Sequence, residues 1–149
     1  VSQVTNTALE PESIARRALR YVLSGLFLTA AYYHFSTPQA FVSIVPAYLP
    51  RPELLVAVSG AAELALAIAL FIEPVRGWAA LLLMLLMIAV WPANWNMALN
   101  AARFDAFTPI QLWLRVVLQV PMLFWAAYAG GLWPRRRVIS REKEQSENH

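Results

Sequence analysis

One acid stands inside an apolar run. Residues 54–72 read LLVAVSGAAELALAIALFI, and Glu63 is the charged side chain among them. At about 1.5 Å per helical residue, such a run is long enough to cross a bilayer. A carboxyl group at that depth costs on the order of 2.5–3.5 kcal/mol, so it needs a partner or a task. Farther along, Gln111, Arg115 and Gln119 repeat at i, i+4 and i+8 and share one stripe of a helix. Counted from the same end of their runs, Arg115 lies roughly 9 Å deep and Glu63 roughly 16 Å deep. An arginine side chain spans that difference. A Glu63–Arg115 ion pair is therefore allowed, each charge offsetting the other's desolvation. Such a pair grips a ligand head group or passes protons, or it serves only to fix helix register.

His34 and His149 are the histidines of the chain. His34 falls near the far end of the first apolar run, where an imidazole can accept or donate a proton near neutral pH. The plainer reading is a ring bonded to a backbone carbonyl. A lone histidine supplies neither a bis-His haem site nor a His-rich metal centre. Asn94, Asn96 and Asn100 cluster at the end of the third apolar run. Their amides can bond across helices or satisfy the Ile88 carbonyl that Pro92 releases. Ala57, Ala61, Ala65 and Ala69 make a ridge of small residues suited to helix packing. Met84, Met87, Met97 and Met122 read as lipid-facing or core filler. The chain has no cysteine, which removes disulfides, thiol redox chemistry, iron–sulfur clusters and Cys-type zinc sites.

These residues have to be held by helices. The chain has 149 residues, enough for one domain. Hydrophobic residues make up 59% and charged residues 14%, a balance that points to lipid as the surroundings. The net charge of +3 does not mark a nucleic-acid binder, because the basic residues sit at the ends of apolar runs. Residues 1–17 read as an N-terminal segment in which Thr7 and Glu10 form a capping box, Pro11 falls in the first turn, and a short interfacial helix follows. Residues 18–133 hold four spans, near 19–35, 54–72, 78–96 and 109–133. Pro92 and Pro121 should bend the third and fourth, and Trp91 and Trp95 suit an interface belt. Between the first two spans, residues 39–51 are too short to cross. Phe41, Ile44 and Val45 suit a short surface or re-entrant helix, followed by a stretch that Pro46, Pro50 and Pro52 keep extended. Residues 134–149 form a charged tail, either a solvated helix or disorder. Arg16, Arg17, Arg20, Arg76 and the basic tail share one side, so the positive-inside rule puts both termini in the cytoplasm.

Several motifs occur in order. His34, Phe35, Pro38, Phe41 and the run IVPAYLP with Pro52 and Glu53 come first. Ser59, Gly60 and Glu63 follow, then Pro92, Ala93, Asn94, Met97 and Ala98, then Leu112, Trp113, Leu114, Arg115 and Gln119. Over about residues 18–130 this resembles the DoxX family of small four-span bacterial membrane proteins, related to the DoxD and MauE types. The resemblance implies a component associated with membrane oxidoreductases, in some members a subunit of a quinone-reducing enzyme. Family members usually carry a glycine in the second span after the acid, where this chain has Ala65, Ala67 and Ala69.

The expectation is an all-α integral membrane four-helix bundle in the bacterial inner membrane. His34, Glu63, Asn94, Arg115 and Gln119 would line a pocket in its outward half. The function expected is an accessory or quinone-site component of a membrane redox system, with a quinone as the cofactor and the lipid bilayer, a redox partner protein or a second copy as partners. A non-catalytic scaffold is the first alternative. A small-solute or proton permease is the second, and the lack of an internal repeat ranks it last. A scaffold would have fully paired polar groups and no cavity, whereas a ligand site would have an apolar cavity with a few convergent polar groups.

Overall fold

The computed structural model describes residues 7–9, 12–133 and 137–139. Helix α1 (Ile14–Ser36) starts at Ser13, whose hydroxyl accepts from the Arg16 backbone N–H at 3.2 Å. The start expected at Thr7 is displaced, because Thr7 belongs to strand β1 (Thr7–Leu9). Glu10 and Pro11 lie outside the described residues. The expected interfacial helix and first span are one continuous helix. A short helix, α2 (Pro38–Val42), follows with proline in its first turn. Residues 43–51 then run through turns rather than one extended stretch. The Val45 N–H bonds to the Val42 carbonyl at 3.2 Å, and the Leu49 N–H to the Pro46 carbonyl at 3.0 Å.

Helix α3 (Pro52–Ala69) opens on Pro52, after Arg51 in the left-handed region at φ 52°, ψ 59°. A tight turn leads to α4 (Arg76–Leu99), which runs through Pro92. A single 3-10 turn, Ala101–Arg103, precedes α5 (Pro109–Ala129), which runs through Pro121. Thr108 and Gln111 form a capping box at its start, with the Thr108 N–H on Gln111 Oε1 at 2.8 Å. Gln111 is thereby used at the helix end and does not reach the stripe's deeper members. Of the tail, Arg137–Ile139 forms strand β2, antiparallel to β1 with Ala8 opposite Val138. The remaining tail residues lie outside the described set.

The architecture is all-helical apart from that small pairing. α1 packs against α3 and α5, and α4 against α3 and α5. The four long helices therefore form a ring in which neighbours in sequence are neighbours in space. Contacts at both ends show that they alternate in direction. His34, late in α1, meets Val56, early in α3, while Leu19, early in α1, meets Trp125, late in α5. The segment after α1 crosses one end of the ring, where the Ile44 carbonyl accepts from Asn96 Nδ2 of α4 at 2.9 Å.

The buried core comes in two parts. Leu23, Phe27, Ala67, Leu70, Leu83, Met87 and Ala126 fill the half nearer the chain's N-terminus. Ile44, Met97, Ala98, Leu112 and Val116 form a smaller cluster at the other end. Outside, large apolar side chains such as Val22, Leu85, Val117 and Phe124 are exposed along every long helix. Water would penalise so much exposed apolar surface. α3, α4 and α5 are long and apolar enough to cross a membrane, with mean hydropathies of 1.6, 1.7 and 1.4. α1 matches them in length, but Arg16, Arg17 and Arg20 crowd its first half and it falls short of them in apolarity. The alanine ridge of α3 packs within this chain only at Ala69, which is half-buried against the larger core. Ala57, Ala61 and Ala65 face outward, and Val56, Ser59, Gly60, Glu63 and Ala67 face in.

Candidate functional site

Between the two core clusters lies a cavity of about 660 Å³. All four long helices and the crossing segment wall it. Phe27, Met87 and Met122 close it toward the larger core, and Ile44, Val45 and Pro46 close it at the bundle's end. Its lining is mostly apolar. The polar side chains in it are His34, Ser59, Glu63, Asn94, Arg115 and Gln119. His34, Glu63, Asn94, Arg115 and Gln119, the five residues singled out in the sequence, thus border one space. Val58 and Leu118 are cavity wall and outer surface at once, being 58% and 53% exposed. The cavity is thus only partly enclosed, with exposed apolar residues in its wall.

α1 and α3 hold one polar group of the site. Gly60 lets the helices approach closely, since a Cβ there would lie 2.6 Å from His34 Cβ. The His34 ring packs on Phe41 with centroids 3.9 Å apart. Its Nδ1 lies 3.0 Å from the Val56 carbonyl, and its Nε2 lies 3.7 Å from Glu63 Oε1. Ser59 Oγ donates to the same carbonyl at 3.0 Å and stands 3.4 Å from Nδ1. Glu63 Oε2 is buried without a hydrogen-bond partner. An unmatched acceptor in such a place carries the full desolvation cost of the group.

α4 and α5 hold the other polar group. Asn94 Nδ2 donates to Gln119 Oε1 at 2.8 Å, and Gln119 Nε2 donates to the Met87 carbonyl. Arg115 Nη2 donates to Asn94 Oδ1 at 3.3 Å from the exposed rim of the cavity. The expected Glu63–Arg115 ion pair is not formed. Glu63 faces His34 and Arg115 faces Asn94, because depth along a helix says nothing of its rotation or of the cavity separating two helices. The asparagines do not cap the Ile88 carbonyl either. Asn96 reaches the Ile44 carbonyl, and Asn100 bonds to Asn96. Near the two prolines, the carbonyl bonded from the neighbouring helix is instead the one five residues before the proline. Gln119 covers Met87 ahead of Pro92, and Trp91 Nε1 covers Val116 ahead of Pro121 at 3.3 Å. Trp91 thus ties two helices together, while the exposed Trp95 packs edge-on against Trp113 at 5.5 Å.

A second set of buried charges, not singled out in the sequence, closes the opposite end. Arg20 is 2% exposed and grips both carboxylate oxygens of Glu12, one contact measuring 2.8 Å. Arg76 Nη1 lies 3.6 Å from the same carboxylate, and its Nε donates to the Leu70 carbonyl at 3.2 Å. Arg20 Nη1 also reaches the Ala129 carbonyl at 3.4 Å. Arg16 lies 4.5 Å over the Tyr128 ring. Arg20 carried a signal of this in the sequence, as a charge at the head of an apolar run. Among the described residues, no group of three or more His, Cys, Asp or Glu could hold a metal ion.

A family model described as "Domain of unknown function (DUF8561)" matches residues 23–129, which span the cavity and all its walls, and the chain belongs to that family. No curated protein and no solved structure matches.

Proposed function

We propose that this member of a family without an assigned activity is a four-span inner-membrane protein that binds an apolar molecule with a polar head, of the quinone type, for a membrane redox system. The apolar exterior and the three membrane-length helices support the bilayer setting. In this reading α1 is the fourth span, its arginines lying at the cytoplasmic surface with both termini. The cavity then falls in the outward half, and its lateral flanks admit a ligand from lipid.

The observation that carries the reading is a largely apolar cavity with polar groups converging from two walls. One wall presents the acceptor Glu63, and the other presents the donor Arg115. A head group with a carbonyl or oxyanion at one edge and a hydroxyl at the other matches that division. The redox association itself is carried by the motif resemblance. A specific observation favours the scaffold alternative in part: the Asn94–Gln119–Met87 chain is fully bonded, as a packing device would be. Glu63 Oε2 and the cavity beside it do not suit a pure scaffold.

Titrating the detergent-solubilised protein with a short-chain alkyl benzoquinone, read by quenching of tryptophan fluorescence, tests the proposal. Saturable quenching is expected, weakened at least tenfold by Arg115→Met. Linear, unsaturable quenching in the wild type would exclude the ligand reading and favour the scaffold.

A further inference from the structure

His34 borders two spaces. One is the large cavity, which it shares with Glu63. The other is a hollow of about 240 Å³ at the junction of α1, α2 and α3, lined also by Phe35, Pro38, Gln39, Val42, Glu53, Val56 and Ala57. Pro38, Gln39, Glu53 and Ala57 are exposed, so this hollow opens to the outside at the end of the bundle. At roughly 30 Å³ of liquid volume per molecule, it has room for several waters. Nε2 looks toward Glu63, and Nδ1 lies against the carbonyl of Val56, a residue that walls both spaces.

We propose that His34 is a proton gate joining the Glu63 carboxyl in the cavity to Glu53 in the outer hollow. The inference goes beyond ligand binding and does not depend on it. With Nδ1–H donating to the Val56 carbonyl, the neutral ring presents a lone pair at Nε2 to Glu63. The protonated Glu63 carboxyl, 3.7 Å away, passes its proton to Nε2 through one bridging water, leaving a carboxylate and an imidazolium. The imidazolium then releases its Nδ1 proton to water in the outer hollow, with Glu53 carboxylate as the acceptor beside it. The ring is left neutral with the proton on Nε2. Ser59 Oγ, 3.4 Å from Nδ1, is placed to turn its hydroxyl from the Val56 carbonyl to the bared nitrogen. Exchange with water, which takes the Nε2 proton and returns one to Nδ1, restores the first tautomer with no net proton change. One proton has moved from Glu63 to the outer face, and the reverse order brings one in.

The ionisable groups facing this route are few. α3 supplies Glu53 and Glu63, α1 supplies His34, and α5 supplies Arg115 across the cavity, while α2 and α4 present Phe41 and Asn94. Phe41 holds the ring in place from the α2 side, and Gly60 leaves it room on the α3 side.

The test is a pH jump on the full chain in lipid nanodiscs, followed by time-resolved infrared absorption of the Glu63 carboxyl. Its band is identified by loss in Glu63→Gln. The expected result is slowing on the order of tenfold or more in His34→Phe. Glu53→Gln and Ser59→Ala, which leave the ring standing, should each slow equilibration severalfold. Wild-type rates in His34→Phe would overturn the gate. If that variant does not fold, a wild-type rate in Ser59→Ala overturns it instead. A slow His34→Phe with a wild-type rate in Glu53→Gln would overturn the route as drawn, since protons would then enter elsewhere. Quinone-analogue binding by the same variants is a separate measurement, so failure of the gate and failure of the ligand reading are told apart.

Discussion

At the basic end of the bundle, Arg20 and Arg76 converge on Glu12, and each also donates to one backbone carbonyl, Arg20 to Ala129 and Arg76 to Leu70. Around them Leu23, Leu70, Leu83, Ala126 and Ala129 are buried completely. At the other end, Glu63 has only a histidine at 3.7 Å, one of its oxygens has no partner, and Arg115 reaches only an amide. Beside them lies a cavity. Both ends bury ionisable groups in apolar surroundings, but the first pairs its opposite charges within the chain, leaving Arg20 Nε and Ser24 Oγ without a partner in close packing, whereas the second leaves a carboxyl oxygen without a partner beside a cavity. A buried charge thus reads as architecture where its partners are present, and as a site where space stands in their place.

The largest effect is expected at the closed end. Glu12→Gln leaves two buried guanidinium groups without their carboxylate, and should cost about 3–5 kcal/mol in unfolding followed in detergent. A loss under about 1 kcal/mol would mean the ion pairs are exposed and near neutral in effect. Quinone-analogue affinity in the folded fraction should stay unchanged, because this end does not touch the cavity.

The two crowded glycines sharpen the contrast at intermediate size. A Cβ at Gly130 would fall 2.0 Å from Ala80 Cβ, and one at Gly60 would fall 2.6 Å from His34 Cβ. Both alanine substitutions should cost about 1–3 kcal/mol by overpacking. Only Gly60→Ala should also change ligand binding, since it pushes the His34 ring toward the cavity. Equal effects on binding would mean the two ends are mechanically coupled.

Why the sequence yielded one end and not the other follows from the residues. Glu63 stands out because nothing else in its run is charged, and its burial needs only an apolar neighbourhood to be foreseen. Pro52 and Pro109 mark helix starts because proline is tolerated there, and both helices begin on them. The identity of Glu63's neighbour was not legible. It depends on how α1 and α3 are rotated and on Gly60 allowing them together, and residue depth carries neither. The inner and outer faces of α3 were hard to tell apart for a related reason. Where the solvent is lipid, alanine suits both, so the ridge of Ala57, Ala61 and Ala65 could be placed inside when it lies outside. The closed end escaped because Glu12 and Arg76 are far apart in sequence, with the turn at α3 and α4 bringing them together.

Two smaller effects follow. Arg51 sits at φ 52° immediately before Pro52. Arg51→Gly should relieve the strain and raise unfolding stability by about 1 kcal/mol or less, and destabilisation would show that the Arg51 side chain is holding the crossing segment. Glu63→Gln and Arg115→Met, which share no direct contact, should combine additively in stability to within about 0.3–0.5 kcal/mol. A larger coupling would mean that the two charges meet across the cavity after all.

If the hollow end holds a ligand, filling the cavity should expel it. Met122→Trp places an indole in the cavity wall while leaving Glu63, His34 and Arg115 unchanged. The measurement is the molar amount of apolar small molecule retained by protein purified in mild detergent, read by mass spectrometry of the organic extract. About one equivalent in the wild type and loss of most of it in Met122→Trp, with unfolding temperature maintained, is the predicted result. Equal retention by both proteins, or none by either, would contradict it.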